Sequence, residues 1–150
     1  MRSIPKAPLY LGLTGLLPFL WGVLTLFNEN LALWANSVIG PRFVGPFIQL
    51  FYGVIILSFM SGVLWGFATK QTGRTATLGY ILAVFPALWA FFTTSGGHVE
   101  AGKSLIIGFL GLLFLDWYFW KNGLAPDWWM NLRLLLTGIV VLFLSVGVFS

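Results

Sequence analysis

Asp116 and Arg133 have the most chemistry to explain, because each stands inside an otherwise apolar run, FLDWYFW and MNLRLLLTG. A carboxylate within a membrane-spanning helix costs about 2.5–3.5 kcal/mol at the helix centre on insertion scales, and such groups relay protons, bind cations or pair with another charge. A relay needs further carboxylates in the apolar runs, whereas Glu29, Glu100 and Asp127 all fall in polar connections. Arg133 opens the run that follows Asp116, so the two can lie at matching depth. A guanidinium and a carboxylate placed in that way form two parallel hydrogen bonds, and each relieves the other's desolvation. The expectation is a structural ion pair that clamps the last two helices together.

Around this pair, Ser61, Trp65 and Thr137 are expected in the same inner half of the molecule. Such a set could hold a lipid headgroup or the polar ring of a quinone, with apolar walls for its tail. It could equally serve hydrogen bonding between helices. Trp117, Trp120, Trp128 and Trp129 crowd one end of the same hairpin, and as an aromatic belt they anchor it at the interface. His98 and Glu100 form an H-x-E pair, but zinc needs three or four ligands and no third is evident. The absence of cysteine excludes disulfides, thiolate metal sites and a cysteine nucleophile. No nucleophile elbow or H-E-x-x-H motif occurs. The reading is a protein that is not an enzyme and has no cofactor of its own.

The elements that must position these groups follow from composition. Of 150 residues, 59% are hydrophobic and 8% charged, with a mean hydropathy of +0.93, against about a quarter charged in a soluble domain. Crossing a hydrocarbon layer of roughly 30 Å takes about 20 apolar residues, so the chain accommodates about five crossings and short connections. The net charge of +4 is spread as single basic residues near the ends of the apolar runs, which orients a membrane protein and excludes a nucleic-acid partner.

The sequence therefore reads as a single all-α transmembrane domain, with spans at about 8–27, 47–69, 76–94, 103–120 and 131–149. The first run is too long for a signal peptide and lacks a small-residue cleavage site, and Pro18 should bend it. Between the first two spans, Leu31, Trp34 and Val38 repeat at helical spacing, which predicts a short interfacial helix ended by Gly40 and Pro41, with Trp34 at headgroup level. Ser58, Gly62 and Gly66 recur every fourth residue on the second span. Such a ladder offers a flat groove for close helix approach and places that helix at the centre of the bundle. Pro86 should kink the third span and free a carbonyl for a neighbouring hydroxyl. Gly108 and Gly111 are the small packing positions of the fourth. Arg2, Lys6, Lys70, Arg74, Lys121 and Arg133 fall on one side and Arg42 and Lys103 on the other, which predicts the N-terminus inside and the C-terminus outside.

Three stretches carry a family resemblance: YGVIILSFMSGVLWGFA from Tyr52, YILAVFPALWAF from Tyr80 and APDWWMNLRLLLT from Ala125. In order and spacing they resemble the small bacterial and mitochondrial integral-membrane proteins grouped as domain of unknown function 3429. One departure is Met60-Ser61, where the pattern has leucine and glycine, and Ser61 keeps that position small. The resemblance implies a multi-pass protein of the bacterial inner membrane or its mitochondrial counterpart, and it transfers no reaction and no catalytic residue.

Together these readings favour an accessory or assembly subunit of a larger inner-membrane complex, respiratory or photosynthetic, with a membrane-protein partner or a second copy of itself. The alternative is a binder or carrier of a lipid, isoprenoid quinone or tetrapyrrole. An ion-coupled transporter is the weakest reading, because no inverted repeat is detectable.

Overall fold

In a bilayer each segment must satisfy its own backbone N–H and C=O groups, so apolar runs of this length become helices. The structure is a computed structural model that describes residues 3–150. Arg2, one of the basic residues assigned to the inner side, lies outside the described residues. In chain order the helices are α1 Lys6–Thr14, α2 Leu17–Phe27, α3 Glu29–Val38, α4 Gly45–Ala68, α5 Gly73–Ala83, α6 Phe85–Thr93, α7 His98–Lys121 and α8 Trp129–Phe149. Five helical units are long and apolar enough to cross a membrane: α1 with α2, α4, α5 with α6, α7 and α8, each of 21 to 24 residues. At helical rise these are roughly 31–36 Å long, which matches the hydrocarbon thickness.

The first and third units are broken at their prolines. Helix α1 stops at Thr14 and α2 restarts at Leu17 with Pro18 in its first turn, while α5 stops at Ala83 and α6 restarts at Phe85 with Pro86 in its first turn. A proline fits the first helical turn because the N–H it lacks has no partner there. At the Pro86 break, Ser61 Oγ on α4 accepts the Ala87 N–H at 2.8 Å. The neighbouring hydroxyl thus takes a freed N–H, not the freed carbonyl foreseen from the sequence.

Helix α3 occupies the expected connection. Asn28 Oδ1 accepts the Leu31 N–H at 3.0 Å and caps it, and Gly40, at φ +106°, turns the chain out of it. Trp34 and Val38 lie on its exposed side. Helix α7 begins at His98, earlier than the expected residue 103. His98 and Glu100 thus form its first turn and not a loop, where an acidic side chain complements the helix dipole, and Glu100 Oε1 lies 3.3 Å from Lys103 Nζ.

Helix α4 is central, in contact with α2, α5, α6, α7 and α8. The face that seats it is Gly53, Leu57, Met60, Ser61, Leu64 and Ala68. The Ser58, Gly62 and Gly66 ladder does not: all three are exposed, and a Cβ added at Gly62 or Gly66 would meet nothing within 4 Å. Helices apolar on every side cannot be oriented by period, and here the larger contact area of Leu57 and Leu64 points inward. On α7, a Cβ at Gly108 would lie 2.8 Å from the Trp89 ring, so this glycine does admit a neighbour, whereas Gly111 faces open space. Helices α7 and α8 form the most extensively packed pair and make an antiparallel hairpin.

Candidate functional site

The hairpin places Asp116 on α7 against Arg133 on α8, and both are buried, with side-chain exposures of 0% and 6%. The guanidinium does not form the expected two parallel bonds. Arg133 Nε donates to Asp116 Oδ2 at 2.8 Å, while Trp129 Nε1 donates to Oδ1 at 3.0 Å, so a tryptophan occupies the second carboxylate oxygen. Arg133 Nη2 reaches Thr137 Oγ1 at 3.3 Å, one turn further along α8. Two residues of one helix, Trp129 and Arg133, therefore hold the single carboxylate presented by the other, and Thr137 holds the arginine. Their spacing of four puts them on one face of α8. Trp129 is in addition seated edge-on against Phe67, with centroids 4.9 Å apart.

The candidate cluster thus divides. Asp116, Arg133 and Thr137 come together. Ser61 is engaged at the Pro86 break, and Trp65, about half exposed, packs on Tyr80 at 4.5 Å. The tryptophans divide as well. Trp129, assigned to the interface from the sequence, is 8% exposed and belongs to the clamp. Trp117 carries Lys121 Nζ over its ring at 4.7 Å, Trp120 donates to the Asp127 carbonyl at 3.1 Å, and Trp128 leans on Trp129. Those three retain the partial exposure that suits an interfacial belt.

A second buried polar group lies towards the other end of α8. Gln49 on α4 is 2% exposed, and its Nε2 donates to the carbonyls of Phe19 on α2 and Phe143 on α8, at 3.1 Å each. Room for it comes from two glycines: a Cβ on Gly22 would lie 2.6 Å from Gln49 Cγ, and one on Gly147 would collide with Gln49 Oε1. Beside it, Thr25 Oγ1 accepts the Gly45 N–H at 2.7 Å and so ties α2 to the start of α4. Sequence reasoning passed over Gln49. The available signal was an amide in an apolar run, which in lipid must find backbone or side-chain partners.

Between the first unit, α4 and α8 runs a cleft of about 410 Å³. Aliphatic and aromatic side chains such as Leu16, Phe19, Ile56 and Phe59 form most of its wall, and Trp129, Arg133 and Thr137 line it along α8. Among the described residues, no three His, Cys, Asp or Glu side chains come together. The arrangement is suited to hydrogen-bond donation into an apolar space and to tying helices.

A family model described as "Protein of unknown function (DUF3429)" matches residues 4–149. The chain belongs to this family. Among curated relatives of this DUF3429 protein, Transmembrane protein 69 of Xenopus tropicalis is 32% identical over 151 residues, covering 98% of the chain and 55% of the relative. Transmembrane protein 69 of Mus musculus is 32% identical over 147 residues, covering 94% of the chain and 54% of the relative. The chain spans about half the length of these relatives. No solved structure matches.

The DUF3429 resemblance read from the sequence is thereby confirmed, and this is a multi-pass membrane protein. Its three diagnostic stretches fall on the features described: the first on α4, the second across the Pro86 break, and the third on the turn and helix that supply Trp129, Arg133 and Thr137.

Proposed function

We propose that this protein is a non-enzymatic accessory or assembly subunit of a larger inner-membrane complex, oriented with its N-terminus in the cytoplasm or matrix. The observation that carries the reading is the outward ladder of Ser58, Gly62 and Gly66 on α4. A groove of small residues costs a helix packing area within its own bundle, and in lipid it is the surface on which another helix approaches most closely. Ser58 Oγ is bonded to its own helix at the Val54 carbonyl, 2.9 Å away, so it presents a small surface without an unsatisfied group.

Replacing Gly62 by Ile tests this. The side chain enters open space, so the purified protein should keep or slightly raise its thermal stability. In native-membrane extracts the same variant should migrate as a smaller species on non-denaturing gels and lose its stoichiometric partner. An unchanged assembly in the Gly62→Ile variant would overturn the proposal.

A further inference from the structure

The cleft beside the first unit is elongated. Its lining on α4 extends from Tyr52 to Val63, and on α8 from Trp129 to Val140. Each stretch rises roughly 16 Å. A volume of about 410 Å³ falls within the roughly 300–1,000 Å³ typical of small-molecule sites. Among the described residues, the one charged side chain in the cleft lining is that of Arg133, although only 5% of its surface is exposed. Its Nε and Nη2 are engaged by Asp116 and Thr137. A guanidinium carries five N–H donors, so donors remain for an acceptor entering from the cleft.

We infer that this cleft binds an isoprenoid quinone, with a ring carbonyl at Arg133, the ring beside the Trp129 indole and the tail along α4 and α8. Charge decides the class of headgroup. Asp116 already neutralises Arg133 at 2.8 Å, so a phosphate would add a second anion next to a buried carboxylate, where like charges repel with little screening. A carbonyl accepts the same N–H without adding charge. Depth agrees: Arg133 lies one helical turn past Trp129, the first residue of α8, or roughly 6 Å into the span. A neutral ring reaches that depth, whereas an ionic headgroup would have to leave the interface. The site is separate from the Ser58, Gly62 and Gly66 face, none of which lines it, so the inference stands or falls independently of partner docking.

The test uses the full chain in phosphatidylcholine nanodiscs. Decylubiquinone is titrated and the bound quinone is quantified after extraction, and a photoreactive azido-ubiquinone maps the contact by mass spectrometry. Expected are saturation at one quinone per chain above the uptake of empty discs, and adducts confined to the cleft lining, within residues 8–19, 52–63 and 129–140 or at Phe109. The double variant Asp116→Asn/Arg133→Gln, which removes the guanidinium without stranding a charge, should weaken binding by about 10-fold or more, the loss of one charge-assisted hydrogen bond. Ile56→Trp fills the middle of the cleft while leaving the clamp intact, and should produce a comparable loss. Uptake no greater than in empty discs, adducts elsewhere, or unaltered affinity in Ile56→Trp would overturn the inference. So would a co-purifying anionic phospholipid that decylubiquinone fails to displace.

Discussion

Asp116 shows how a charge is retained in an apolar helix. Both of its oxygens are occupied, one by Arg133 Nε and one by Trp129 Nε1, so removing any member leaves a buried polar atom without its partner. Taking one ion from a buried pair costs about 3–5 kcal/mol. Asp116→Asn should accordingly destabilise the bundle by about 3 kcal/mol, read as a lower midpoint in SDS or thermal unfolding in detergent. Adding Arg133→Gln should restore part of the loss, because contacting residues couple by about 0.5–3 kcal/mol; a double variant no more stable than the single one would deny that the two charges act as a pair. Trp129→Phe keeps the ring against Phe67 and deletes only the N–H, so it should cost about 1–3 kcal/mol. If the same unfolding assay finds Trp129→Phe neutral, the tryptophan is packing and not clamping. Asp116 and Arg133 were legible as a pair because charges in apolar runs are rare. The tryptophan was not, because a ring at a helix end reads as an anchor until its N–H is seen to point inward.

At the scale of elements, the two prolines and the buried amide explain how broken helices stay packed. Pro86 divides the third unit, and Ser61 supplies the hydrogen bond that joins its second half to α4. Gln49 reaches two backbones at once, which is feasible only because Gly22 and Gly147 leave space on either side. Gly147→Ala should therefore push Gln49 out of place and cost about 1–3 kcal/mol, the usual range for overpacking a filled interior. The check is its unfolding midpoint beside that of Gly111→Ala, which faces open space and should be neutral. Equal effects from the two would remove Gln49 as a tie between α2, α4 and α8. Prolines mark such breaks in the sequence, since their chemistry is local. The partners that close the breaks are distant along the chain, and no local pattern names them.

For the whole molecule, five units each long enough to cross predict termini on opposite sides, and the distribution of Lys and Arg predicts which is inside. Lys6, Lys70, Arg74 and Lys121 lie near span ends on the side assigned to the cytoplasm, with Arg42 and Lys103 opposite. A phosphatase that is active only outside the cytoplasm should be active when fused after Ser150 and silent when fused after Lys70; the reverse pattern inverts the topology. The sequence by itself determined the class of protein, the number of apolar helices, the positions of their breaks and the family, because hydropathy, proline and motif order are written locally. It also determined that Asp116 needs a partner, since an isolated carboxylate in lipid is too costly. Only the tertiary structure decided which faces meet. With α4 apolar all round, nothing in its periodicity distinguishes the Leu57 and Leu64 face from the Ser58, Gly62 and Gly66 face. The choice rests on how five surfaces fit together, and that fit turned the glycine ladder outward, brought Trp129 in to the carboxylate and opened the cleft at Arg133.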